Sequence, residues 1–289
     1  MMVLSIILLI LILWDAFEAI VLPRRVTRRF RFTRFFYRST WVPWSWIAKK
    51  IPAGKFRDGY LSVYGPLSLL LLLIIWAVGL IFSFALLQWS LGSRIDTPEH
   101  NPDFISDLYF SGSTFFTLGL GDVTPITKIA RAISVVEAGM GFGFLALVIG
   151  YVPVLYQAFS RREVDISLLD ARAGSPPTAV ELLRRHSTES NTEDLREFLS
   201  DWELWCAELL ESHLSYPVLA YYRSQHSNQS WLGALTMILD ASALAIVGID
   251  GISAHQARLT FAMARHTVVD LSQIFNRYVL DGLRCSSYL

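Results

Sequence analysis

The chain has 289 residues, 53% of them hydrophobic and only 17% charged, a balance too apolar for a soluble domain of this size, so part of it is expected in lipid. Its 25 basic and 25 acidic side chains cancel to zero, and nothing in that total points to a nucleic-acid partner. Cys206 and Cys285 lack metal-ligand spacing and are read as free thiols.

The first apolar stretch runs from about Val3 to Leu22 and ends at Pro23. It is long enough to cross a bilayer and lacks the basic start and small-residue cleavage site of a signal peptide. Asp15 and Glu18, three residues apart near its end, share a helix face and are expected to be a structural pair. From Arg24 to Arg57 the chain carries 11 basic residues before its next acid, Asp58. Retained positive charge marks the cytoplasmic side, so the N-terminus is expected outside. Trp41, Trp44 and Trp46 follow the arginines at a spacing suited to an amphipathic segment on the inner leaflet, with anionic lipid as a possible contact over 24–50.

A second span is expected within the uncharged stretch Leu61 to Ser93, and a third from about Ala132 to Ser160, whose exit Arg161 and Arg162 mark. The segment between Ser93 and Asp107 carries Asp96, Glu99, Asp103 and Asp107 against Arg94, which suits the outer surface. Phe104 to Phe116 is apolar and helix-compatible but too short to cross, so it is expected to be re-entrant. Behind it comes Thr117-Leu118-Gly119-Leu120-Gly121-Asp122, in which glycines alternate with larger residues. Glycine tolerates positive φ, and alternation of this kind lets successive carbonyls point to one side. Those carbonyls and the Thr117 hydroxyl can replace the hydration shell of a cation. Irregular backbone at membrane depth is tolerated only where it lines a cavity or is buried in protein, so the pattern demands a pore or a partner.

Span, short helix, Thr-x-Gly-x-Gly-Asp and span together resemble the pore module of the potassium channel superfamily over roughly Leu61 to Arg161. The resemblance implies K+ as the permeant ion, held at Thr117, Leu118, Gly119 and Leu120 with Gly121 closing the filter, and no cofactor. It also implies that four chains meet as a homotetramer, each supplying one quarter of the filter. Leu120 stands where that family most often has tyrosine or phenylalanine, and Phe116 where a second threonine is frequent. Asp122 would sit at the outer mouth as filter support. Glu137 lies in the outer half of the third span, with Ser111, Ser113 or Thr114 of the short helix as bonding partners, and Ser113 and Glu137 are assigned to filter support. Gly141, with Gly139, falls where related inner helices carry a gating hinge, although close packing explains a glycine equally well. Val148 to Tyr156 would approach the inner constriction, where a hydrophobic gate can close by dewetting.

Beyond Arg162 a polar stretch leads to Ala171-Arg172-Ala173-Gly174-Ser175-Pro176-Pro177, a linker by its glycine and prolines. Leu195, Phe198, Leu199, Trp202, Trp205, Cys206 and Leu209 recur at helical spacing after an Asn191 or Thr192 cap. Further helices are expected at about Tyr216–Ser224, Ser230–Ile249 and His255–Val279. Trp231 to Ile249 is nearly apolar enough to span, but Asp240 interrupts it and a buried core helix is expected. His186, His213, His226, His255 and His266 are scattered without metal spacing, and no nucleotide or calcium loop is visible.

The fold expected is an all-α membrane protein of three transmembrane helices with a re-entrant pore helix and filter, followed by an all-α cytoplasmic domain. Its divisions are a first helix at 1–23, a basic interfacial segment at 24–60, the pore module at 61–162 and the helical domain at 163–289. The reading is a K+ channel of the plasma membrane and not an enzyme, since no nucleophile, paired carboxylates or phosphate loop stands out. A non-selective monovalent cation channel and a non-conducting sensor or scaffold are the alternatives.

Overall fold

The computed structural model describes residues 1–22, 32–92, 95–96, 103–189, 192–224, 229–248 and 254–283. The arginines at 24 to 31, Arg94, Glu99, Asn191, His226 and Cys285 lie outside these residues. Helices dominate: α1 (Met2–Ala16) continues into a π-helical turn (Phe17–Val21), and α2 (Phe32–Lys50) and α3 (Lys55–Ser90) follow. Next come α4 (Phe104–Phe115), α5 (Lys128–Ala173), α6 (Ala179–Glu189), α7 (Thr192–Ser215), a 3-10 turn (Pro217–Tyr221), α8 (Trp231–Gly248) and α9 (Ala254–Leu283). Four of these helices, α1 with its π turn, α3, α5 and α8, are long and apolar enough to cross a membrane, and the chain is an all-α membrane protein.

Two compact units form. The first takes Met1–Leu22, Phe32, Thr33 and Ser68–Val154, and α3 is the most buried of its long apolar helices. Leu9, Ala77, Leu80, Ile81, Phe84 and Phe115 form its core, with Ile133, Met140 and Phe144 packed against them. Polar ties supplement this packing. Asp15 accepts hydrogen bonds from Trp76 Nε1 at 3.1 Å, from Thr33 Oγ1 at 2.7 Å and from the Thr33 backbone N–H at 3.2 Å. Glu18 instead accepts from Trp14 Nε1 at 2.6 Å, so the two acids serve different partners although they share a helix face. Gln88 Nε2 donates to the Ala130 carbonyl at 3.3 Å, joining α3 to α5.

The second unit holds Arg34–Leu67 and everything from Leu155 onward. Here α3 begins at Lys55, ahead of the uncharged stretch from Leu61 within which the span is expected, because its first turns pack on α2: Trp44 stacks on Tyr60 with ring centroids 4.4 Å apart, and Tyr64 is buried beside Thr40. Likewise α5 runs to Ala173 rather than ending near Ser160, because Ile166, Leu169 and Ala173 enter an apolar core with α6 to α9. At 46 residues α5 is roughly 69 Å long, more than twice a hydrocarbon core of about 30 Å. Gly174, at φ 82°, ends it.

The helix expected over Tyr216–Ser224 is instead a short 3-10 turn over Pro217–Tyr221, with Tyr222 already extended. α6 had no counterpart in the sequence reading. The inward face of α8, including Ala234, Leu235, Met237, Ile238 and Ala241, lies in the core of this unit. Two buried hydroxyls staple α9 to α7: Thr260 Oγ1 donates to the Leu199 carbonyl at 2.8 Å and Thr267 Oγ1 to the Cys206 carbonyl at 3.0 Å. Burial pushes the Cys206 thiol up to about 12, which makes it unreactive at neutral pH.

Candidate functional site

The site is built where α4 stops. Asp103 starts that helix by accepting from the Ser106 backbone N–H at 2.8 Å, and Ser106 completes a capping box. At 12 residues, roughly 18 Å, α4 cannot cross a bilayer. Asp107, read from sequence as an outer acid, is buried in its first turn, where the helix dipole favours a negative charge.

At the other end, three backbone bonds fold the chain back on α4: Phe116 N–H to Gly112 O at 3.1 Å, Thr117 N–H to Thr114 O at 3.0 Å and Leu118 N–H to Ser113 O at 2.7 Å. The backbone then alternates in hand. Thr117 (φ 55°), Gly119 (φ 57°) and Gly121 (φ 79°) are left-handed, whereas Leu118 and Leu120 between them are not. Thr117 is the one residue among those described that takes positive φ without being glycine, a strained geometry that sequence alone does not reveal. Every residue from Phe116 to Asp122 is exposed in the single chain. The segment thus offers a row of backbone oxygens and one hydroxyl, the hard ligands that suit an unhydrated alkali cation.

Behind the segment, Tyr109 Oη donates to Asp122 Oδ2 at 2.8 Å, tying its outer end to α4. Glu137 Oε1 is hydrogen-bonded to Ser111 Oγ, which also lies 2.8 Å from the Ile81 carbonyl, so this contact joins α3, α4 and α5. Of the three hydroxyls weighed as partners for Glu137, the structure thus selects Ser111, and Ser113 supports the segment through its carbonyl. Gly141 faces the end of α4: a Cβ there would stand 1.8 Å from the Phe115 carbonyl oxygen. Gly139 has no neighbour within 4 Å of a Cβ position. Past Asp122, Thr124–Pro125 pair antiparallel with Ile95–Asp96, and Arg131 Nε donates to the Pro125 carbonyl at 3.0 Å. Tyr109, which with Phe110 is expected from sequence to brace this segment as an aromatic cuff, does so through Asp122, thirteen positions on, a partner that neither residue announces.

Residues 69–157 match the family model described as "Ion channel". Over 210 residues, 71% of its length, the chain is 28% identical to the protein described as "Uncharacterized membrane protein YdjJ" of Bacillus subtilis (strain 168), and spans 60% of that relative. No solved structure matches it. The matched residues begin within α3, take in α4 and end within α5, so this stretch is similar to an ion-channel module.

Proposed function

We propose that the chain is one subunit of a homotetrameric, potassium-selective channel, in which K+ passes down its gradient between four copies of Thr117–Asp122. The observation that carries this reading is the alternation of left-handed backbone at Thr117, Gly119 and Gly121 on an exposed segment directly behind a helix too short to span. A single copy of such a segment has no cavity to line, and irregular backbone at membrane depth requires one. The proposed pore-lining helix points the same way: the apolar window of α5 is only 11% buried within its own chain, against 61% for α3, and Val135, Phe142 and Ile149 stand exposed.

In this reading Asp122, held by Tyr109, fixes the outer mouth, and the Glu137–Ser111 contact braces the pore helix. The basic run from Arg24 to Arg57 orients the N-terminus outside and the helical tail in the cytoplasm, in a plasma membrane. Gating bends α5 near Gly139 and closes an apolar ring below Val148.

The test is the reversal potential in planar bilayers with K+ opposed by Na+. Reversal near the potassium equilibrium potential, lost in Gly119→Asp, is the expected result. Reversal near zero would replace it with a non-selective cation channel, which Phe116 and Leu120 would then explain. Absence of current under every condition would favour a sensor that keeps the channel fold without conducting.

A further inference from the structure

The second unit contains a groove of about 760 Å³ that no part of the conduction reading uses. One wall is a single face of α2, from Arg34 through Arg38 and Trp41 to Lys49, a run of roughly 22 Å along the helix axis. Leu235 of α8 and Leu271 of α9 belong to the opposite wall, and Tyr221, stacked on Tyr37 at 5.1 Å, also lines it. Among the described residues, four basic side chains line the groove, Arg223 being the fourth, and no acid does. Arg223 is paired with Asp58 at 3.1 Å, while Arg38 and Lys49 are exposed.

We propose that this groove binds one anionic membrane lipid, an acyl chain lying along the aromatic and aliphatic walls and the net negative charge of the headgroup drawn by the exposed cations Arg38 and Lys49 of the α2 wall. The inference rests on the membrane orientation proposed above and not on conduction. Length and charge together select the ligand. An apolar trough of this length has no use for a free phosphate, and a neutral lipid brings no net charge to the exposed Arg38 and Lys49. α2 also carries Trp44 and Trp46, side chains that settle at the headgroup level of a bilayer. Other occupants suit it less. Residues 273–289 of the chain itself carry Arg277 and Arg284 against Asp281, the same sign as the groove. A second copy would bring the acids of α7, but the apolar residues of that helix, such as Phe198 and Trp202, are already buried in their own core and leave the walls uncovered.

The experiment is native mass spectrometry of the full chain in non-ionic detergent, titrated with phosphatidylglycerol or phosphatidylcholine of identical chains. Wild type should retain phosphatidylglycerol preferentially, and the Arg38→Gln/Lys49→Gln double variant should bind it about ten-fold more weakly or worse. Val42→Trp, which fills the groove from an exposed position without removing charge, should lower retention as well. Equal retention of both lipids, or phosphatidylglycerol binding unchanged in both variants, would overturn the proposal. So would displacement by glycerol phosphate alone, which would mark a free-anion site, or a cross-link from Lys49 to an α7 carboxylate of a second copy. Protease access to the tail in oriented vesicles tests the orientation separately, and the assay reads no current, so its failure leaves the channel reading untouched.

Discussion

Gly139, Gly141 and Gly143 read alike in a linear string, each a place where α5 can bend, and only their surroundings separate them. A Cβ at Gly141 would meet the Phe115 carbonyl oxygen at 1.8 Å and its carbon at 2.7 Å, backbone atoms that cannot swing aside, whereas nothing lies within 4 Å at Gly139 or Gly143. Overpacking costs about 1–3 kcal/mol, so Gly141→Ala should melt several degrees lower in detergent. Gly139→Ala should match or exceed wild type, since alanine favours a helix by up to about 1 kcal/mol. Equal melting of the two variants would restore Gly141 as a hinge. Histidines were similarly opaque. His213 is buried with Nδ1 2.9 Å from the Leu209 carbonyl and Nε2 3.4 Å from Arg162 Nη1, an N–H donor on one side and an acceptor on the other. Burial, and then the Arg162 charge, push its imidazole down from 6.5 to about 3. The unfolded chain therefore takes up a proton that the folded one refuses. The resulting stability is whole above pH 6.5 and drains away as pH falls towards 3. Wild type should lose melting temperature between pH 7 and 5 by more than His213→Gln does, and parallel slopes would show that His213 does not carry the effect.

Elements that bury a continuous apolar face were legible, and those shaped by a partner were not. The short helix α4, the Thr117–Asp122 string behind it and α7 to α9 announce themselves by hydrophobic period and glycine spacing. The early start of α3 and the late end of α5 depend on surfaces supplied by α2 and by the tail core, which no local pattern encodes. α6 escaped notice because its run Ala179–Glu189 is mostly polar and is braced instead by Glu181 with Arg184 and Arg185. The first helix shows how far a single polar residue can reach. Asp15 gathers the Trp76 indole and two donors of Thr33, so it fastens α1 to α3 more specifically than its apolar neighbours do. A buried donor stripped of its acceptor costs about 1–3 kcal/mol. Asp15→Leu should therefore lower the melting temperature of the chain clearly more than Asp15→Asn, which keeps an acceptor oxygen for Trp76. If Trp76→Phe rescues Asp15→Leu, the indole is the orphaned group; without rescue, the docking of α1 owes its strength to packing alone.

At the scale of the whole molecule, one chain leaves much apolar surface uncovered. The irregular segment Phe116–Asp122, with every residue exposed, and a long apolar helix scarcely covered by its own chain leave the proposed pore incomplete within one copy. Closed rotational symmetry is the economical way to complete it, because the same surface then satisfies each neighbour in turn. In the sequence the expectation of several copies rests on the Thr117–Asp122 string, and the tail adds nothing to it, since its apolar core is built from one chain. The copy number can be read from function. Gly119 sits at φ 57°, and aspartate there brings both backbone strain and a charge into the row of oxygens, so one altered copy should block a shared pore. Co-expressing wild type and Gly119→Asp in equal amounts leaves about one-sixteenth of four-membered rings free of the variant, against about one quarter of two-membered ones. Potassium current should fall to that lower fraction at constant total protein. A fall to one half would mean that each chain conducts alone, and the exposed faces of α5 would then belong to lipid.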